Sequence, residues 1–373
     1  MGITGNKIEL LRLFGIKIYL DYSWFIVFFL ITFTIINWYR EFPPYNIIND
    51  LIFAMLSAIF LFISVLFHEL GHSLVARKFG VSVKEIDLFI FGGVAMMEDE
   101  APSPKAEFLI AIAGPIVSLI LAIFFALLYN LFPQNNDFSA FLKYLASVNF
   151  MLFAFNLIPA FPLDGGKILR SIIWKFKDIM VATKVVSITG KVFSILLIVV
   201  GAIFFLTGNF ITGVWYMLIG LFLYKAAKYS YESVKINTLL SRYKVEDVMD
   251  LVQPLFPNQT IAEYMSMVYP RYKTVIYPVI GNDGKFYYIS IEDIQKIPYK
   301  DWPYVPVIEI AKPIEVYVSP YDKLTKALAL MNKYDMDELP VMYKNTLLGL
   351  VRRHKIEYII QEDYRKLWKR GFL

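Results

Sequence analysis

The chain of 373 residues contains no cysteine. That excludes disulfides, thiolate-held metals and thiol nucleophiles, and it says nothing about compartment. Charged side chains are also scarce, at 18%, against about 25% in a typical soluble domain. Histidine is scarcer still, with three in the whole chain. The net charge of +5 is modest for this length and reads as positive-inside bias rather than a polyanion site. What is abundant is apolar: 57% of residues are hydrophobic and mean hydropathy is +0.53. An ordinary cytosolic enzyme, a disordered tail and a nucleic-acid binder are excluded. The length exceeds one average domain, so two units are expected.

The apolar residues are unevenly spread. Residues 1–228 hold long uncharged runs, 244–373 read as a soluble domain, and 229–243 form a mixed linker. A spanning helix needs about 20 apolar residues. Uncharged runs lie between Asp21 and Arg40, Asp50 and His68, Phe108 and Asn136, and Tyr144 and Leu163. A longer run from Val192 to Tyr224 is interrupted at Thr207-Gly208-Asn209 and divides into two, so about six spans are expected. The first is too long for a cleaved signal peptide and lacks its cleavage site. Lysine and arginine cluster between spans two and three, between four and five, and after six, while the opposite loops hold only Arg40 and Lys143. Both termini and the soluble part are therefore expected in the cytoplasm, with the chain in the cell membrane.

His68-Glu69-Leu70-Gly71-His72 is an H-E-x-x-H sequence. Residues four apart share a helix face, so both imidazoles can meet one metal, and Glu69 can reach a water bound to it. With three histidines scattered at random, this pattern is about a one-in-a-thousand event. The plain alternative is a satisfied histidine pair, but ionisable groups inside a membrane are costly and mark function. The rise from His68 to Arg77 is about 14 Å on a helix, which puts the pair below the cytoplasmic boundary and requires a water path. A hydrolytic zinc takes three protein ligands. Cysteine is absent and His354 lies in the soluble part, so the third must be a carboxylate. Asp164 is the candidate, in Asn156-Leu-Ile-Pro159-Ala-Phe-Pro162-Leu-Asp164-Gly165-Gly166. Its two prolines break helix where irregular backbone needs a protein or water lining. A Pro-Gly turn that merely ends a span is the alternative.

These motifs resemble the site-2 protease family of intramembrane metalloproteases. The likeness covers most of residues 8–230 and includes Gly15-Ile-Lys-Ile-Tyr-Leu-Asp-Tyr-Ser23-Trp24, Phe91-Gly92-Gly93 and Ala113-Gly114-Pro115. The resemblance implies that His68, His72 and Asp164 hold one Zn2+ and that Glu69 activates water. It implies that Asn156 holds substrate or polarises its carbonyl. It further implies that the substrate is a single-span membrane protein, cut at a peptide bond within the bilayer after local unwinding. The family often has asparagine three residues after the proline of Ala-Gly-Pro. Ser118 stands there, and it is expected to touch none of the proposed ligands.

Residues 80–97 read as strand, with Ile86, Leu88 and Ile90 on one face. This membrane-associated β segment either offers an edge to an unwound substrate or is a plain interfacial hairpin. Residues 244–361 repeat at an offset of about 62, each copy mixing β-rich runs with helices. Val245-Glu-Asp-Val-Met matches Val307-Ile-Glu-Ile-Ala, and Tyr277-Pro-Val279 matches Leu339-Pro-Val341. The pair resembles CBS (cystathionine-β-synthase-like) domains. That resemblance implies an α/β fold, homodimerisation and binding of ATP or AMP through Ser290 and Asp293. The second copy carries Arg352 and Lys355 at those places, either to meet phosphates or as a solvated face. A scaffold without ligand is the alternative. For the whole chain, the rivals to a protease are a CBS-regulated metal transporter or channel and an inactive homologue.

Overall fold

The computed structural model describes residues 7–39, 46–89, 92–97, 100–133 and 136–369. Ile90, in the expected strand, lies outside them. The chain divides into two units, 1–232 and 233–373.

The first unit opens with a hairpin, β1 (Lys7–Leu13) and β2 (Ile16–Asp21). Phe14 and Gly15 turn the chain with φ of 50° and 77°. Ile16, Ile18 and Leu20 are buried and their neighbours are not, the alternation of a half-buried strand. Helix α1 (Ser23–Tyr39) and helix α2 (Ile47–Lys78) follow, the latter capped by Asn46, whose side chain accepts from Ile48 N at 3.0 Å. Strands β3 (Val83–Phe89) and β4 (Gly92–Met97) form an antiparallel hairpin. β3 runs parallel to β2, so the sheet order is β1-β2-β3-β4 and β4 is an edge. Ile86 and Leu88 point inward, as their alternation requires. The sheet packs through Ile16, Ile18, Ile86 and Leu88 onto Leu70 and Ala76 of α2 and Ile110 of the next helix.

That helix is α3 (Pro104–Leu131), capped by Ser103 with proline at its first position. Helix α4 (Asp137–Asn156) starts from a capping box between Asn136 and Ser139. It therefore begins earlier than the uncharged run suggested, and Lys143 lies inside it rather than in a loop. A short α5 (Asp164–Trp174) precedes α6 (Ile179–Leu206) and α7 (Phe210–Leu240), with the break at Thr207-Gly208-Asn209 where the sequence placed it. Among the described residues five helices, α2, α3, α4, α6 and α7, are long and apolar enough to cross a membrane. α1, at 17 residues, is a shorter sixth. Large apolar side chains such as Phe33, Leu127 and Leu131 are 61–77% exposed on their outer faces, the surface that lipid covers. The inner faces meet in a core of Val27, Phe28, Phe62, Phe141 and Leu145. The stretch read as a linker, 229–243, is mostly the last turns of α7.

In the second unit the repeat is visible element by element. The first copy runs β5 (Asp250–Leu251), α8 (Ile261–Glu263), α9 (Tyr269–Tyr272), β6 (Ile276–Ile280), β7 (Phe286–Ser290) and α10 (Ile291–Gln295). The second runs β8 (Lys312–Pro313), α11 (Leu324–Tyr334), β9 (Glu338–Tyr343), β10 (Thr346–Arg352) and α12 (Arg353–Lys369). The copies exchange strands. β5 joins β10 and β9, while β8 joins β7 and β6, so neither sheet is completed by its own copy. Buried Glu338 adds a second tie, accepting from Val275 N and Ile276 N of the other copy at 2.8 and 2.9 Å.

Candidate metal centre

α2 and α3 cross antiparallel, and small residues let them close. A Cβ at Gly71 would come within 2.9 Å of Val117. Ile110, Gly114 and Ser118, spaced by four, form a stripe that faces His68 and His72, also spaced by four. The Ile110 carbonyl accepts from His72 Nδ1 at 2.6 Å. A carbonyl can only accept, so the proton is on Nδ1 and Nε2 carries the lone pair of a metal ligand. His68 Nδ1 lies 2.9 Å from Ser118 Oγ. The expectation that Ser118 touches no ligand is corrected here: the helix crossing brings its hydroxyl onto the first histidine, where an asparagine side chain would reach further.

Asp164 arrives on the other side. It opens α5 after the Pro159–Pro162 turn. Gly165 lets the new helix lie on the chain before it, since a Cβ there would be 2.2 Å from Leu157 O. Arg170 Nε donates to buried Glu107 of α3 at 2.5 Å and ties α5 in place. Lys167 Nζ holds Asp164 Oδ1 at 3.2 Å, leaving Oδ2 for the histidines. Lys167 is one turn from Asp164 on the same face, a signal in the sequence that was not read.

Three atoms then converge. Asp164 Oδ2 is 3.1 Å from His68 Nε2 and 3.0 Å from His72 Nε2, and the two nitrogens are 3.1 Å apart. All three side chains are buried, at 3–5% exposure. With the His72 proton on Nδ1, its Nε2 and Asp164 Oδ2 are both acceptors, and a cation among the three atoms would relieve their repulsion. Two imidazole nitrogens and one carboxylate oxygen are the donor set of a hydrolytic zinc site. Space for an ion is kept by Gly114, where a Cβ would lie 2.2 Å from His72 Nε2 and 2.6 Å from His68 Nε2. The residues fit zinc.

Glu69 follows His68 and lies under β4. A Cβ at Gly93 would be 2.7 Å from its Cγ. Asn156 ends α4 and its side-chain amide donates to Leu152 O at 3.0 Å, within its own helix. Among the described residues no hydrogen bond joins it to the three converging side chains.

In the second unit Ser290 caps α10 and donates to Asp293 Oδ2 at 2.7 Å. Lys296 and Lys312 also hold Asp293, at 2.8 and 2.6 Å. Burial opposes its ionisation, but these hydrogen bonds outweigh it and keep the carboxyl well below the usual carboxylate range. In the second copy the signs are reversed. Arg352 and Lys355 hold Asp250 at 2.7 and 2.6 Å, so they are an ion-paired cluster and not a solvated face.

The model of peptidase family M50 matches residues 56–135 and 130–200. A Synechocystis protein provisionally named a zinc metalloprotease is 33% identical over 367 residues, covering 95% of this chain and 96% of the relative. The site-2 protease from Methanocaldococcus jannaschii is 37% identical and covers 60% of this chain and 95% of its own, with a TM-score of 0.44. The CBS domain of a membrane protein from Sphaerobacter thermophilus covers 34% of this chain and 94% of its own at 13% identity, with a TM-score of 0.30. With a relative matched along nearly its whole length, the chain belongs to peptidase family M50, the site-2 protease family of zinc metalloproteases.

Proposed function

We propose that the chain is an intramembrane zinc endopeptidase that hydrolyses a peptide bond in a membrane-spanning segment of its substrate, with both termini and the CBS pair in the cytoplasm. The observation that carries this is the convergence of His68, His72 and Asp164 in helices long enough to cross a bilayer, with Glu69 beside them. Zinc held by His68, His72 and Asp164 would supply a Lewis acid and an acidic water. Glu69, beside these ligands, would accept a proton from the attacking water and return it to the leaving amine. His72, fixed by Ile110, and His68, fixed by Ser118, keep their Nε2 lone pairs aimed at one point. Lys167 holds the far oxygen of Asp164. Asn156 reaches a substrate carbonyl only after its amide leaves Leu152, so its role depends on substrate entering. Among the described residues no second group of metal-capable side chains exists to form a relay, which favours hydrolysis over transport.

The open edge of β4 is the proposed seat of the unwound substrate. Its Gly93 lies over Glu69, and an added strand there would run past the metal site. Since the protein has no cysteine, Met96→Cys introduces a single thiol. In a Glu69→Gln background it should form a disulfide with a cysteine placed beside the scissile bond of a single-span substrate. Equal trapping of cysteines all along the substrate would reject the seat.

The CBS pair is proposed to sense adenine nucleotide at Ser290 and Asp293. A ribose that takes Asp293 must displace Lys312, so resting affinity is held down by an internal cation. Calorimetric titration of the full-length protein with ATP and AMP should show tighter binding in Lys312→Ala, by up to about tenfold for one charge-assisted contact. Binding should be lost in Asp293→Ala. Flat titrations in wild type and Lys312→Ala would remove the nucleotide from the proposal.

A further inference from the structure

A cavity of about 700 Å³ lies where the β1–β2 hairpin meets the end of α2 and the start of β3, away from the metal centre. Arg12, Lys17, Arg77 and Lys84 line it, with Glu85 as the one carboxylate. Glu85 is already paired with Lys7 at 2.8 Å. Arg77 is a strap, donating to Phe14 O and, at 3.2 Å, to Val83 O, and so joins the hairpin to β3. Lys17 has Glu9 at 3.4 Å across the hairpin. Arg12 stands directly opposite Lys17 in the strand register. Like charges in that position destabilise a strand pair unless an anion lies between them. Among the described residues nothing pairs with Arg12.

The surroundings indicate where such an anion comes from. β1 is an edge strand, so Ile8 and Leu11, opposite Leu20 and Ile18, and Leu10 at the bulge are exposed, and the turn exposes Phe14 at 69%. Apolar side chains beside a basic cavity suit the boundary between headgroups and acyl chains. Arg77 ends a spanning helix and lies about 14 Å along it from His68, at the depth of that boundary.

We infer that this cavity binds the phosphate of an anionic phospholipid headgroup, between Arg12 and Lys17, with the exposed apolar side chains of β1 and its turn in the acyl region. The ligand chemistry is a phosphate oxyanion, and free phosphate offers the same group. Occupation would brace the sheet whose other edge, β4, covers Glu69. The inference does not depend on the protease reading, because its readout is lipid retention.

The test uses full-length protein in a neutral detergent, exchanged with dioleoyl phosphatidylglycerol or dioleoyl phosphatidylcholine and weighed intact by native mass spectrometry. Wild type should retain one phosphatidylglycerol and little phosphatidylcholine. The Arg12→Gln, Lys17→Gln double variant should retain roughly tenfold less or lower still, the scale expected for two interfacial cations. Arg12→Lys should keep the lipid. Zinc content and melting temperature show that each variant is folded. Retention that survives millimolar inorganic phosphate supports the lipid. Displacement by phosphate, with phosphate itself bound, overturns the lipid as source. Equal retention by wild type and a folded double variant overturns the site.

Discussion

Glu69→Gln should leave zinc bound and lower hydrolysis by about 10²–10⁴-fold, the contribution of a positioned general base. Glu69 is not among the three converging donors, so metal content should stay at one ion per chain. Glutamine has the same shape and fits the same space under Gly93, so α2 and the sheet keep their packing. What it lacks is a carboxylate to accept a proton. Elemental analysis of the purified variant and cleavage of a single-span reporter in detergent measure the two quantities separately. A variant that still cuts would remove Glu69 from the role, and one that loses zinc would place it among the ligands.

Gly114→Ala should empty the metal centre while all three ligands remain. The added methyl would lie 2.2 and 2.6 Å from the two Nε2 atoms. The rings cannot simply swing away, because Ile110 and Ser118 hold their far nitrogens. Alanine favours helix over glycine by about 0.8–1.0 kcal/mol, so α3 itself should not weaken. The loss should at least match the roughly 10–100-fold in metal affinity that follows disturbed ligand orientation. Zinc stoichiometry after dialysis against a chelator series checks it, with circular dichroism as the folding control. Full zinc affinity in this variant would mean the ion sits elsewhere.

Much of the site was legible because its pieces are local. H-E-x-x-H is a property of one helix turn, and Asp164 stood out through the prolines before it and the glycines after. Lys167 was equally local and was overlooked. Ser118 was misjudged for a different reason. Its contact with His68 depends on how α2 crosses α3, and no spacing within either helix reveals that. The β1–β2 hairpin shows a clear period of two in Ile16, Ile18 and Leu20, yet its residues were read only as part of a family likeness. The start of α4 was misplaced because Lys143 interrupts the uncharged run, whereas the cap at Asn136 sets the true beginning. In the second unit the 62-residue repeat was plain. The exchange of β5 and β8 between copies was not, since two-residue strands carry no pattern of their own.

By itself the sequence determined which residues are candidates to hold a metal, that they lie among apolar runs long enough to span, and that a duplicated α/β unit follows. Those are matters of residue type, helical period and apolar run length, all encoded over short stretches. Only the tertiary structure decided that the three donors meet, that a glycine keeps their centre open, that Lys312 already occupies the acid expected to meet a nucleotide, and that Arg12 and Lys17 share a cavity. Each of these depends on distances between segments far apart in the chain, set by packing of whole elements.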